Sequence, residues 1–177
     1  GPDNPSHIRV FDLDVAAGPV AAYGPTTVSG TESMNPDFVA YVTGLRQGPT
    51  YSPREIEDAR HRLLALGVFS SVTIREGDAL DANGQLPIEV QVSERKLRYY
   101  GFGATVSNTE GLGIEGYWGH RNLFGNAETL RIQGSIGQIG EEDIQDFDQL
   151  NYNASILFEK PGVIGPDSKF YSRFSTV

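Results

Sequence analysis

Cysteine is absent from the 177-residue chain, so neither a disulfide framework nor a thiolate metal site is available to it. Basic residues are scarce. The 14 Lys and Arg stand against 23 Asp and Glu, a net charge of -9, and without a basic stripe to neutralise phosphates a nucleic-acid partner is excluded. Long apolar runs are missing too: there is no stretch of about 18 apolar residues, and the first residues lack a basic region followed by an apolar one. No transmembrane helix and no export signal is therefore visible. What the chain does hold is 21 Gly and 10 Pro, with 38% hydrophobic and 21% charged residues. That is too apolar for disorder and too rich in turn formers for a helical bundle, which leaves an all-β or α+β architecture in one domain or two small ones.

The period of the apolar residues divides the chain. Residues 8–15 alternate, with Arg9, Phe11, Leu13 and Val15 on one side and Asp12 and Asp14 on the other, which predicts a strand that Gly18 and Pro19 break. A second extended stretch, 20–28, contains Pro25 and is expected to be irregular there. Helical signals follow. Asn35, Pro36 and Asp37 offer an N-cap, a first-turn proline and an acid, ahead of Phe38, Val39 and Val42, with Gly44 as the stop. Ser52 and Glu55 have capping-box spacing, Ile56, Ala59, Leu63 and Leu66 share one helix face, and Gly67 closes it. The period then returns to two in Phe69, Val72 and Ile74, and again in Ile88, Val90 and Val92, with a turn over residues 81–84. The order strand, helix, helix, strand, strand predicts a three-stranded sheet covered on one face by two helices.

Beyond Leu97 only strand signals remain. Tyr100, Phe102, Ala104 and Val106 alternate with Tyr99, Gly101, Gly103 and Thr105; Leu112, Ile114, Gly116 and Trp118 alternate with Gly113, Glu115, Tyr117 and Gly119. Leu130, Ile132, Gly134 and Ile136 oppose Arg131, Gln133 and Ser135, then Tyr152, Ala154, Ile156 and Phe158 oppose Asn153, Ser155 and Glu159, and a fifth strand begins near Lys169. Each run is roughly 9 to 11 residues, enough to cross a bilayer when tilted. Periodicity alone leaves two readings open: a membrane barrel, or a soluble antiparallel sheet with one solvated face.

Residues 118–125 read WGHRNLFG and are followed by Asn126, Ala127, Glu128, Thr129 and Leu130. This resembles the first periplasmic turn of the barrel in the outer-membrane insertase superfamily, most of all in the outer-membrane subunit of the translocation and assembly module. Residues 99–104 (YYGFGA) resemble that family's first barrel strand, residues 110–113 (EGLG) its first outer loop, and Glu159, Lys160 and Pro161 its next inner turn. Upstream, residues 66–72 (LGVFSSV) resemble the helix-to-strand junction of a POTRA domain, the polypeptide-transport repeat of the same proteins.

The resemblance implies an α+β chain: a POTRA domain (β-α-α-β-β) followed by antiparallel strands of an incomplete transmembrane β-barrel. Residues 1–18 would hold the last strand of a preceding POTRA domain or a linker, 19–95 the membrane-proximal POTRA domain, and 96–177 the first four to five strands of a barrel that has sixteen in the family. The short strand count implies that these strands alone cannot close a barrel and would associate through exposed edges. A component of outer-membrane protein assembly and translocation is implied, with its POTRA domain in the periplasm. Its partners would be outer-membrane lipid, unfolded β-barrel or autotransporter clients, and a periplasm-spanning inner-membrane protein. Three sets of residues then matter. Arg98, Tyr99, Tyr100, Gly101, Phe102, Gly103 and Ala104 would form the seam strand that templates a client, with Gly101 and Gly103 keeping it weakly held. Phe69, Ser70, Ser71, Val72, Thr73 and Ile74 would form a POTRA docking edge, with Arg54, Arg60, Arg62 and Arg75 free to meet acidic partners. His120, Arg121, Asn122, Leu123, Phe124 and Gly125 would form the periplasmic turn.

Chemistry of other kinds finds little support. No nucleophile sits in a motif near His120, so the turn reads as structural and the chain as non-enzymatic, with no cofactor. Glu141, Glu142, Asp143, Asp146 and Asp148 lack EF-hand spacing and read as a solvated loop, not a metal site. A hydrolase using Glu142 or Asp146 is the least favoured reading. His61 falls among polar helix positions. Gly111, Gly113 and Gly116 lack the strand-then-helix setting of a dinucleotide site. Trp118 and Tyr117 suit an aromatic girdle at a membrane interface. The reading from another class is a soluble carbohydrate- or ligand-binding β module, with Trp118 and Tyr152 as contact residues.

Overall fold

A proline inside a strand removes a ladder hydrogen bond, and β1 (Ala22–Ser29) shows how that is absorbed. In the computed structural model, which describes residues 20–108, 111–139 and 151–176, β1 lies at one edge of a three-stranded sheet. Its register slips between Tyr23 and Thr26, around Pro25. The strand expected over 8–15 and the acidic run 141–148 lie outside the described residues.

Helix α1 (Pro36–Thr43) starts as its sequence dictates: Asn35 Oδ1 accepts from the Asp37 N–H at 3.0 Å, and Gly44 closes the helix. Helix α2 (Pro53–Ala65) starts differently. Ser52 makes no side-chain capping bond, so the expected capping box is not formed. The Tyr23 hydroxyl takes its place, donating to the Ser52 carbonyl and accepting from the Ser52 N–H, both at 3.0 Å. A buried phenol from β1 thus anchors the helix start to the sheet, a tertiary contact that local spacing does not encode.

Strands β2 (Phe69–Glu76) and β3 (Gln85–Glu94) form a hairpin whose turn is organised by Asp81 Oδ1, which accepts from Asn83 N–H at 2.8 Å and Gln85 N–H at 2.9 Å. The sheet order is β1-β3-β2, with β1 and β3 parallel and β2 antiparallel. Val39, Val42, Ala59, Leu63, Val68 and Val90 are wholly buried between helices and sheet. Each fully buried aliphatic of Val or Leu size contributes about 1.5–3 kcal/mol, so this layer stands as a domain with its own core.

Residues 95–97 lead directly into the second sheet. Its strands β4 (Arg98–Ser107), β5 (Gly111–His120), β6 (Thr129–Ile139), β7 (Asn151–Pro161) and β8 (Lys169–Thr176) pair antiparallel in chain order. The register aligns like with like. Tyr100 pairs with Trp118, Trp118 with Ile132, Ile132 with Ile156 and Ile156 with Phe174, all on one face. The opposite face aligns Tyr117 with Gln133 and Gln133 with Ser155. The two-residue alternation in the sequence therefore becomes one apolar and one polar face. The apolar face is bare: Phe102 is 90% exposed, Val106 80% and Phe174 71%. An apolar surface this continuous is unfavourable in water and suited to hydrocarbon.

Candidate functional site

Strand β4 is an edge. It pairs with β5 along its whole length, from Arg98 opposite His120 to Ser107 opposite Gly111, and with no other described strand. The predicted seam residues Arg98 to Ala104 all lie on it. Tyr100, Phe102 and Ala104 take the apolar face and Tyr99, Gly101 and Gly103 the polar one. The glycines have a packing reason beyond looseness. A Cβ at Gly101 would sit 2.5 Å from the Tyr117 ring, and one at Gly119 would meet Tyr99, so each tyrosine lies flat over the glycine across from it. The rings of Tyr99 and Tyr117 are 6.2 Å apart, with Arg121 over Tyr99 at 4.1 Å and Arg131 over Tyr117 at 4.5 Å. Such contacts hold β4 to β5 through side chains on the polar face. Tyr117 is thereby removed from the aromatic girdle expected of it, because the register turns it away from Trp118.

The turn between β5 and β6 is the second feature, and it is a built structure. Asn122 and Glu128 are both buried. Asn122 Oδ1 accepts from the Ala127 N–H at 3.0 Å, while Glu128 Oε2 accepts from the N–H groups of Asn126 at 3.0 Å and Phe124 at 3.3 Å. Two side chains thus satisfy the backbone of a turn that has no ladder of its own. The turn also meets the first domain: Asn122 Nδ2 donates to the Ser33 carbonyl at 3.1 Å, the Asn35 N–H donates to the Gly125 carbonyl at 2.8 Å, and Ala127 joins the first domain's core. The loop it meets is itself fixed. Glu94 Oε1 accepts from the N–H groups of Glu32, Ser33 and Met34 at 2.8, 2.9 and 2.8 Å. Arg121 completes the latch, donating its N–H to the Leu97 carbonyl and a guanidinium N–H to the Lys96 carbonyl, both at 2.9 Å.

A second turn, between β7 and β8, touches the same helix. The Tyr41 hydroxyl donates to the Gly162 carbonyl at 3.2 Å, and a Cβ at Gly162 would stand 2.9 Å from Phe38. Arg62, expected to be free for acidic partners, donates to the carbonyls of Val42 and Thr43 at 3.2 and 2.6 Å and lies 3.9 Å from Asp167. Arg60 is likewise paired, with Glu57 at 3.0 Å.

The docking edge predicted over Phe69 to Ile74 belongs to β2, whose only partner among the described strands is β3. It is far from continuous as a surface, since Phe69 and Val72 point into the core and Ser70, Ser71 and Thr73 are exposed. Trp118 and Tyr152, the contact residues of the carbohydrate-module reading, lie on the apolar face aligned with Ile132 and Ile136. Sequence reasoning missed Ser33 and Glu94, and it quoted Ala127 and Glu128 within the turn motif without giving either a role. The available signal was the acid Glu128 at the end of a turn motif, where a carboxylate has N–H groups to collect.

Comparison with known proteins follows this division. Residues 22–95 match the POTRA family, described as a surface antigen variable number repeat. Among solved structures, BamA from Haemophilus ducreyi lacking POTRA domains 1–3 superposes with a TM-score of 0.68 at 15% identity, covering 88% of this chain and 27% of that one. CdiB from Acinetobacter baumannii superposes with a TM-score of 0.63 at 11% identity, covering 88% of this chain and 28% of that one. The chain thus spans little more than a quarter of either structure. No curated protein matches it in sequence. The expected fold is therefore shown: residues 22–95 match a POTRA domain, and with the strands that follow the chain takes the fold of the corresponding parts of the BamA and CdiB structures.

Proposed function

We propose that the chain is a non-enzymatic part of the machinery that assembles and translocates proteins at the bacterial outer membrane, with its POTRA domain in the periplasm. The observation that carries this is the edge of β4, from Arg98 to Val106, that no described strand pairs, beside an exposed apolar face. In hydrocarbon a backbone N–H or C=O without a partner is costly, so such an edge favours pairing with an incoming strand. Backbone pairing is tolerant of sequence, which suits a component with many β-barrel or autotransporter clients. The likeness of the β5–β6 turn to that of the translocation and assembly module makes this the favoured system. The edge of β2 that no described strand pairs is the surface on which a client segment or a periplasm-spanning inner-membrane protein would dock.

The test is photo-crosslinking in the full protein in its native membrane, with the label moved along β4 from Tyr99 to Thr105. Client adducts are expected along β4 and not at Phe170 to Phe174 of β8. Client adducts on β8 with only lipid adducts on β4 would overturn the reading.

A further inference from the structure

The cations of this acidic chain are not spread evenly where the two domains join. Arg95, Lys96 and Arg98 fall within four residues, and a groove of about 740 Å³ opens beside them at the POTRA end of β4 and β5. Lys96, Arg98 and His120 line it together with Leu97, Leu123 and Phe124, and among the described residues no carboxylate does. The adjacent acid, Glu94, is committed to the three N–H groups of residues 32–34. Neither Lys96 nor Arg98 stands in an ion pair among the described residues, whereas Lys160, the other long cation on the apolar face, lies 4.0 Å from Glu128. Both are exposed, so their charge faces outward unanswered.

Their height on the sheet gives the charge a meaning. Arg98 and His120 pair directly across β4 and β5 on the apolar face, one step from the Tyr100 and Trp118 pair, and Phe102 lies one step further. Each such step is about 7 Å along a strand. The face thus reads hydrocarbon, then aromatic, then cation, the order in which a lipid leaflet presents acyl chain, interface and phosphate. The groove adds an apolar wall, on which Phe124 is 75% exposed.

We propose that this groove is a headgroup subsite for an anionic phospholipid of the periplasmic leaflet, with Lys96 and Arg98 holding the phosphate and Leu97, Leu123 and Phe124 covering the first acyl carbons. The proposal rests on the apolar face meeting lipid, which is part of the reading above. It adds a named lipid class and a fixed place at the foot of the edge strand.

Trp118 is the single tryptophan of the chain, and its ring lies 6.3 Å from that of His120, so its emission reports on the site. The chain in dodecylmaltoside micelles is titrated with dihexanoyl phosphatidylglycerol or dihexanoyl phosphatidylcholine. A blue-shifted Trp118 in the micelle alone establishes that the apolar face meets hydrocarbon; without it the membrane reading itself fails. Given that shift, phosphatidylglycerol is expected to saturate a further change that phosphatidylcholine does not. Each cation beside an anionic lipid is worth about fivefold, so Lys96→Gln with Arg98→Gln should weaken the response about 25-fold. Arg46→Gln with Arg54→Gln, which removes the same charge from the POTRA surface, should leave it unchanged. Equal losses in the two pairs would reduce the effect to net charge and overturn the subsite. Competition by sodium phosphate beyond that of sodium chloride at equal ionic strength would make it a free-phosphate site and overturn the lipid assignment.

Discussion

Asn122 uses its amide in two directions: the oxygen secures Ala127 within the turn, and the nitrogen reaches the Ser33 carbonyl of the POTRA domain. The residue is 4% exposed, and its bond to the Ala127 N–H is buried while that to the Ser33 carbonyl is only partly so. Leaving a buried donor unsatisfied costs about 1–3 kcal/mol, and Asn122→Ala leaves the Ala127 N–H in that state and also loses the bond to Ser33. A loss of about 2–4 kcal/mol in denaturant unfolding is expected, with hydrogen exchange at Ala127 rising before that of the POTRA core. Asn122→Asp keeps the acceptor and loses the donor, setting a carboxylate against the Ser33 carbonyl. It should be no more stable than the alanine variant.

At the scale of strands and helices, the β4–β5 pair shows a physical division of labour. Gly101 and Gly103 look alike in sequence, but a Cβ at Gly101 meets the Tyr117 ring at 2.5 Å, whereas one at Gly103 meets only the flexible Glu115 side chain, at 3.1 Å. Gly101→Ala is therefore expected to cost about 1–3 kcal/mol, the usual range for overpacking, and Gly103→Ala well under that. Chemical denaturation of the two variants checks the difference, and adding Tyr117→Ala should remove most of the Gly101→Ala penalty. This pair also marks what the sequence reveals. The alternation of Tyr100, Phe102 and Ala104 against Tyr99, Gly101 and Gly103 predicts both faces of β4, because side-chain direction in a strand is fixed by a period of two. The helix starts are legible to the extent that they are local: Asn35 caps α1 as its spacing predicts, while Ser52 makes no side-chain cap on α2, and its backbone is held by the Tyr23 hydroxyl, 29 residues away. The same limit hid the latch. His120 to Gly125 stand out as a turn motif, but that Asn122 and Gly125 bond to Ser33 and Asn35 depends on how two domains meet, which no periodicity carries.

For the molecule as a whole, the direct run from β3 through residues 95–97 into β4 leaves the POTRA domain free to pivot unless other contacts stop it. Two do, and they grip the same helix from separate turns: the β5–β6 turn binds the chain just before α1 through Ser33 and Asn35, and the β7–β8 turn binds α1 through Tyr41 and Phe38. Two attachments to one rigid element hold it far better than either alone, since with one in place the other re-forms within the molecule. Breaking one should then leave the orientation nearly unchanged, and breaking both should release it. Asn122→Ala weakens the first grip, taking away the bond to Ser33 and leaving that between Asn35 and Gly125. Gly162→Val removes the second, by placing a branched side chain at a φ of 72° and against Phe38. Spin labels at Asp58→Cys on α2 and Ser135→Cys on β6 report the angle between domains, both positions being exposed. Pulsed dipolar spectroscopy is expected to give one narrow distance distribution for the parent and for each single variant, and a broad one for the double variant. Broadening already complete in Asn122→Ala would show that the β5–β6 turn alone fixes the POTRA domain beneath the strands, and would assign Tyr41 and Gly162 a contact without holding force.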